Sequence, residues 1–188
     1  MNTQISMFGV ALLILILIVA IILAFAAGPT SPLTWALVAF LIAIPFLHRR
    51  MAARSYIEWD DRYSVGIDSI DRQHKRLVNL INQLKTAVDY STGEEFEREA
   101  LDELVDYTKT HFSYEEELME KYGYPDFESH KAEHHKMIKQ VEDVLAEYEK
   151  DHDRAMQHAL AFLKEWLINH INGTDKEYSE FLQAKGVQ

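Results

Sequence analysis

Five histidines and two carboxylates stand in an order and spacing suited to holding metal ions: His74, then His111 with Glu115, then His130 with His134, then His170 with Asp175. His111-x-x-x-Glu115 and His130-x-x-x-His134 are i, i+4 pairs, so on a helix both members of each pair project from one face. One such pair is weak evidence, because nine histidines in 188 residues produce a chance His-x-x-x-His roughly half the time. The specific signal is the ordered set. Its donors are too many for one four-coordinate zinc, and calcium and magnesium prefer all-oxygen shells. Iron suits the mixture of imidazole and carboxylate, and two metals bridged by both carboxylates would use the donors economically. The chain has no cysteine, which excludes disulfides, Cys-ligated zinc fingers, Cys-held iron–sulfur clusters and a Cys nucleophile.

These residues recur within periodic stretches that must position them. Ile70, His74, Leu77, Ile81, Leu84 and Val88 alternate by steps of four and three, the inward stripe of an amphipathic helix that Ser91-Thr92-Gly93 ends. A second helix, about Glu95 to Tyr122, carries Leu101, Leu104, Thr108, His111, Glu115, Leu118 and Tyr122 in one stripe and stops at Gly123-Tyr124-Pro125. The third, about Phe127 to Lys150, aligns Phe127, His130, His134, Met137, Val141, Val144 and Tyr148. The fourth, about Asp153 to Ile171, turns Ala159, Leu163, Trp166 and His170 inward, and Gly173-Thr174-Asp175 is expected to interrupt it before a last turn around Tyr178 and Phe181. Short loops between helices of this length predict an all-α, up-down-up-down antiparallel four-helix bundle. In it the start of the first helix, the end of the second, the start of the third and the end of the fourth share one level. There the histidines converge. A buried polar group without a partner costs roughly 1–3 kcal/mol, so a histidine in every seam points to a common ligand.

The rest of the chain divides sharply. No Lys, Arg, Asp or Glu precedes Arg49, and all 30 acidic residues lie from Glu58 onward. Arg49, Arg50 and Arg54 account for three of the 19 basic residues, so residues 55–188 carry 16 basic against 30 acidic, a formal −14. A domain that acidic repels phosphate backbones, and nucleic acid is excluded as a partner. Ile5–Ala27 is a 23-residue uncharged run, long enough to cross a lipid bilayer. Gly28-Pro29-Thr30-Ser31-Pro32 breaks it, and a shorter run, Leu33–Leu47, follows. The expectation is a two-helix transmembrane hairpin in residues 1–54 (spans about 5–27 and 31–47), a basic juxtamembrane segment, and a bundle in residues 55–188 entered through an irregular arm, roughly Ser55–Asp68. By the positive-inside rule Arg49, Arg50 and Arg54 place both ends of a two-span protein in the cytoplasm.

Other candidates are set aside. His135 follows His134 by about 100° and leaves the seam. His152 and His158 fall near the opposite end and are expected to be solvated, His48 flanks the membrane, and Glu116, Glu117 and Glu120 are read as a wet face. A ferritin-like di-iron site would need two Glu-x-x-His motifs; only Glu149-x-x-His152 fits, far from the cluster. There is no His-Glu-x-x-His motif and no glycine-rich phosphate loop.

Residues 56–182 resemble a hemerythrin domain of the bacterial type. The resemblance rests on Trp59, Val65-Gly66-Ile67, Asp71-x-x-His74-Lys75, His111-Phe112-x-x-Glu115, His130-x-x-x-His134 and Trp166-Leu167-x-x-His170-Ile171-x-x-x-Asp175-x-x-Tyr178. It implies a four-helix bundle with a non-haem di-iron centre, one iron on His130, His134 and His170, the other on His74 and His111. Glu115, Asp175 and an oxo or hydroxo group would bridge them, and dioxygen would bind reversibly at the two-histidine iron. An apolar lining excludes water and acid from such a site. Leu77, Phe112, Leu167 and Ile171, one helical step from the ligand positions, are its candidates. The expected function is that of a membrane-anchored oxygen-binding protein, not an enzyme, that stores dioxygen or delivers it to a membrane partner. An oxygen sensor or regulatory subunit with a signalling partner, and an enzyme reducing peroxide or nitric oxide, are the alternatives.

Overall fold

The computed structural model describes residues 7–28, 30–90, 92–148 and 151–188, with backbone alone at 7, 8, 48, 49, 51–55, 147, 148 and 153. The expectations for residues 1–6, Pro29, Ser91, Glu149 and Lys150 lie outside the described residues, as do those for the side chains of His48, Arg49, Arg54, Ser55, Tyr148 and Asp153. The chain forms two compact units, Met1–Ser55 and Tyr56–Gln188.

The first unit is a pair of helices, α1 (Met7–Ala27) and α2 (Pro32–Ser55), packed on each other. Their turn is closed by the Thr34 hydroxyl, which donates to the Gly28 carbonyl at 3.2 Å, and by an edge-on contact of Phe25 with Trp35 at 5.9 Å. Leu15, Ile16, Ile22 and Leu23 of α1 and Phe40, Ile42 and Phe46 of α2 point outward, exposed. Among the described residues one helix, Gly9–Ala27, is long and apolar enough to cross a membrane, while the apolar part of α2, Pro32–Leu47, is shorter. The second span of the expected hairpin therefore lacks the length that a bilayer asks of a helix, about 20 residues.

The second unit is built from α3 (Asp68–Asp89), α4 (Glu94–Tyr122), α5 (Phe127–Tyr148), α6 (His152–His170) and α7 (Lys176–Ala184). Each of α3 to α6 packs on its chain neighbour and α6 closes back onto α3, giving the four-helix ring; no strand occurs among the described residues. Ile70, Leu77, Leu84, Leu101, Leu104, Met137, Val141, Met156 and Leu163 fill the interior, as the 3.6-residue stripes require. Local signals set the ends. Gly123 adopts the left-handed conformation (φ 69°, ψ 49°) after α4, and Tyr124 N–H returns to the Met119 carbonyl at 2.9 Å. Asp151 caps α6 by accepting from Arg154 N–H at 3.3 Å.

The arm before α3 is tied down by side chains rather than by helix packing. Asn82 clips the Ile57 backbone from both sides, accepting from its N–H at 2.9 Å and donating to its carbonyl at 2.8 Å. Buried Asp71 accepts from Val65 N–H at 2.8 Å and from the Ser64 hydroxyl at 2.5 Å. Gly66 (φ 71°) lets the Gln183 amide of α7 reach the Val65 carbonyl at 2.6 Å, since a Cβ there would stand 2.7 Å from Gln183 Nε2.

The expected break at Gly173-Thr174-Asp175 is not present. Residues Ile171–Asp175 form one wide π-helical turn that carries α6 into α7 without interruption. Gly173 lowers helix preference but is compatible with the wider turn, and the consequence of that turn falls on the site.

Candidate metal centre

All seven candidate residues are buried and meet in the bundle interior. Their donor atoms form two overlapping sets, Glu115 with His130, His134, His170 and Asp175, and Glu115 with His74 and His111, each within 4.8 Å. Each helix supplies them as the seams predict: His74 from α3, His111 and Glu115 from α4, His130 and His134 from α5, and His170 from the last turn of α6.

Asp175 arrives by another route. Five residues at about 100° each would place it roughly 140° around an α-helix from His170. The π turn lowers the rotation per residue, and His170 Nε2 comes to 3.0 Å from Asp175 Oδ1.

The carboxylates divide their oxygens consistently. Glu115 Oε1 lies 3.5 Å from His74 Nε2 and 3.3 Å from His111 Nε2, while Oε2 lies 3.9 Å from His130 Nε2 and 3.5 Å from His134 Nε2. Asp175 Oδ2 lies 3.3 Å from His74 Nε2, and Oδ1 faces His130 at 3.7 Å and His170 at 3.0 Å. The Nε2 atoms of His130 and His170 approach that of His134 to 3.0 and 3.1 Å.

Such convergence needs positive charge. Burial disfavours the charge of Glu115 and Asp175, but the surrounding histidines outweigh it and hold both carboxyls well below their usual range. Burial alone would push His74 down; Asp175 and Glu115 reverse this and hold its imidazolium to about 9. Burial wins at His111, lowered to about 4, and at His134, also lowered. His170 is raised by Asp175 against its own burial. Both nitrogens of His74, Nδ1 of His130, Glu115 Oε2 and both Asp175 oxygens are buried without a hydrogen-bond partner. Orphaned donors at this density, all of nitrogen and oxygen type, are the environment a pair of bound cations would satisfy.

Three residues that sequence reasoning did not assign a role hold the donors in place. Tyr178 of α7 donates its hydroxyl to Glu115 Oε1 at 2.5 Å, and burial with that nearby carboxylate keeps the phenol protonated far above its ordinary range. Gln73 Oε1 accepts from His111 Nδ1 at 3.1 Å. Glu116 Oε1 accepts from His134 Nδ1 at 3.0 Å. Glu116 is thus not part of a wet face. It sits beside Glu115 on α4, and its reach across to α5 has no sequence signature. Glu117 and Glu120 are exposed as expected.

Of the four lining candidates, Leu77, Phe112 and Leu167 border an apolar cavity of about 10 Å³ beside the cluster, together with Ile81, Leu104, Met137, Leu163 and Trp166. Ile171 is buried but does not border it. The Thr108 hydroxyl at the cavity edge is already committed to the Leu104 carbonyl at 2.7 Å. Phe112 stacks flat on His134 (3.7 Å, 4°), and Trp166 stacks on His170 (4.1 Å, 20°). His135 and His158 are exposed. His152 is not simply solvated: its Nε2 lies 3.4 Å from the buried carboxylate of Glu97 at the far end of the bundle.

Comparison with known proteins places this arrangement. Residues 65–182 match the family model described as the hemerythrin HHE cation binding domain. The bacteriohemerythrin of Stenotrophomonas maltophilia is 39% identical over 126 residues, spanning 67% of this chain and 81% of that protein. That of Methylococcus capsulatus is 34% identical over 122 residues, spanning 65% and 92%. A crystal structure of wild-type hemerythrin superposes with a TM-score of 0.59 at 34% identity, covering 67% of this chain and 97% of the other.

Proposed function

The chain belongs to the hemerythrin family, and on that premise we propose that it is a membrane-anchored, dioxygen-binding di-iron protein that stores oxygen or delivers it to a membrane partner. The domain itself is a hemerythrin-like non-haem iron domain. His130, His134 and His170 would hold one iron, His74 and His111 the other, with Glu115 and Asp175 shared between them. One observation carries this reading: each carboxylate turns one oxygen toward the first group of histidines and the other toward the second. Two bound irons would supply the redox chemistry of reversible dioxygen binding, which no side chain here offers.

The protein residues do the rest. The two-histidine side has one protein donor fewer and is where dioxygen would bind. Leu77, Phe112 and Leu167 keep the neighbouring space apolar, and the cavity they border has room for about one water-sized sphere. Tyr178 holds Glu115 in orientation while keeping its own proton. No carboxyl borders the cavity, so its lining holds no acid that could deliver a proton there. The test is anaerobic loading with ferrous iron, metal analysis, then admission of air followed by visible absorption. Two irons per chain and a charge-transfer band that vanishes on deoxygenation support the proposal. Steady turnover of peroxide or nitric oxide would replace it with an enzyme, and one zinc without iron would overturn it.

The anchor rests on α1. Its 19 apolar residues span roughly 28 Å at 1.5 Å each, close to a hydrocarbon core, and its large side chains face outward. In the proposed arrangement α2 enters the bilayer beside it, and the basic residues after Leu47 keep the bundle, residues 55–188, in the cytoplasm. The absence of cysteine makes single-cysteine labelling clean. Retention in the membrane after alkaline carbonate, with a cysteine at Thr30 labelled only from outside, supports a two-span anchor; release into the supernatant refutes membrane insertion.

A further inference from the structure

The two halves of the cluster are supported from behind by different chemistry. On the three-histidine side, His134 is gripped on three sides. Its Nδ1–H donates to the Glu116 carboxylate at 3.0 Å, its ring face lies on Phe112 at 3.7 Å, and its Nε2 enters the cluster. Glu116 is itself placed by Lys131, whose Nζ lies 3.7 Å from the other carboxylate oxygen, and its side chain is only 18% exposed. On the two-histidine side, His111 Nδ1–H donates instead to the neutral amide oxygen of Gln73, at 3.1 Å. Both contacts fix the same tautomer, with a bare Nε2 toward the cluster. They differ in charge, and a hydrogen bond to a carboxylate is roughly twice as strong as one to a neutral acceptor. It also makes the opposite ring nitrogen a better donor to a metal.

We infer that Glu116 is a positioning residue that, through its charge on His134, makes the three-histidine half the tighter metal site, while Gln73 leaves the two-histidine half the weaker and more readily emptied one. The inference rests on the two-metal reading above. Its consequence is ordered loading: the half carrying His130, His134 and His170 fills first and empties last. The half with the open position is the one that exchanges metal.

Stepwise cobalt(II) affinities of the full chain, measured anaerobically by competition with a chromophoric chelator, test it. Glu116→Gln keeps size and acceptor but removes the charge, and Glu116→Ala removes both. The expected result is a loss of about 10-fold in the first affinity for Glu116→Gln and up to about 100-fold for Glu116→Ala, with the second affinity unmoved. Gln73→Glu, on the other side, should raise the second affinity and narrow the gap from below. A purely packing role for Glu116 would leave Glu116→Gln like the wild type, and that outcome overturns the inference. Equal losses at both steps also overturn it. Should Glu116→Ala fail to fold, Gln73→Glu decides, since an unmoved second affinity contradicts the charge argument. A wild-type chain that takes up fewer than two cobalt ions overturns the two-metal reading itself; two ions with unmoved variants overturn the present inference alone.

Discussion

The two units of this chain solve opposite burial problems. In Met1–Ser55 most of the large apolar side chains described face outward, with Leu23 65% exposed, and a polar group, the Thr34 hydroxyl, is turned inward onto Gly28. In Tyr56–Gln188 most charges lie outside and the apolar stripes inside, yet the interior gathers seven buried histidine and carboxylate donors. Water suits the second surface, and the proposed anchor would give the first a lipid surrounding. An apolar helix has no fixed meaning until its surroundings are known. Leu84 and Leu23 are the same residue under opposite boundary conditions. The buried polar cluster follows the same rule: donors costly in an apolar core become favourable around a cation.

The polar centre of the bundle is the most sensitive place to perturb. Glu115→Ala removes the group that faces both sets of histidines, and metal analysis should show loss of both irons, with the variant recovered as a folded, helical apoprotein by circular dichroism. Retention of two irons would mean that the shared carboxylate is not shared. His74→Ala should be more selective, weakening the two-histidine site by at least about 10-fold while the other site keeps its metal. Unchanged oxygen binding in that variant would refute the division of donors.

Smaller effects sharpen the contrast between the units. Leu84 is fully buried, and Leu84→Ala should cost about 2–5 kcal/mol in denaturant unfolding of the bundle. Leu23→Ala removes the same atoms from an outward position on α1 and should change bundle stability by less than about 0.5 kcal/mol. Similar costs for the two would show that α1 is packed against protein rather than surrounded by lipid. Glu117→Gln, on the exposed neighbour of Glu116, should leave metal affinity unmoved in the cobalt competition, which isolates the effect of Glu116 from that of surface charge in general.

Much of the bundle and of its donor set was legible in the chain. Regular steps of three and four turned His74, His111, Glu115, His130 and His134 into the same seams as their leucine neighbours, because a helix converts sequence spacing into a face. His170 could be placed at the same level by counting turns. Asp175 could be placed just past that same end, but helix periodicity did not account for how it faces the site. A spacing of five fits no α-helical face, and only the π turn at Ile171–Asp175 explains how Asp175 joins. Glu116 and Glu117 are adjacent acids on one helix and read alike; contact with α5 separates them. Glu97 and His152 likewise look like surface residues until α4 and α6 bring them together. At the other end, hydropathy suggested two spans, but length supports one helix, Gly9–Ala27.

What the sequence determined by itself is therefore the chemistry available: an uncharged N-terminal segment, four amphipathic helices, and a cysteine-free set of nitrogen and oxygen donors in a fixed order. Residue type and periodicity suffice for this because both are local. The tertiary structure alone decided which oxygen faces which histidine, and which imidazoles are supported by a charge and which by an amide. Those outcomes depend on distances between helices far apart in the chain, and no local pattern encodes them.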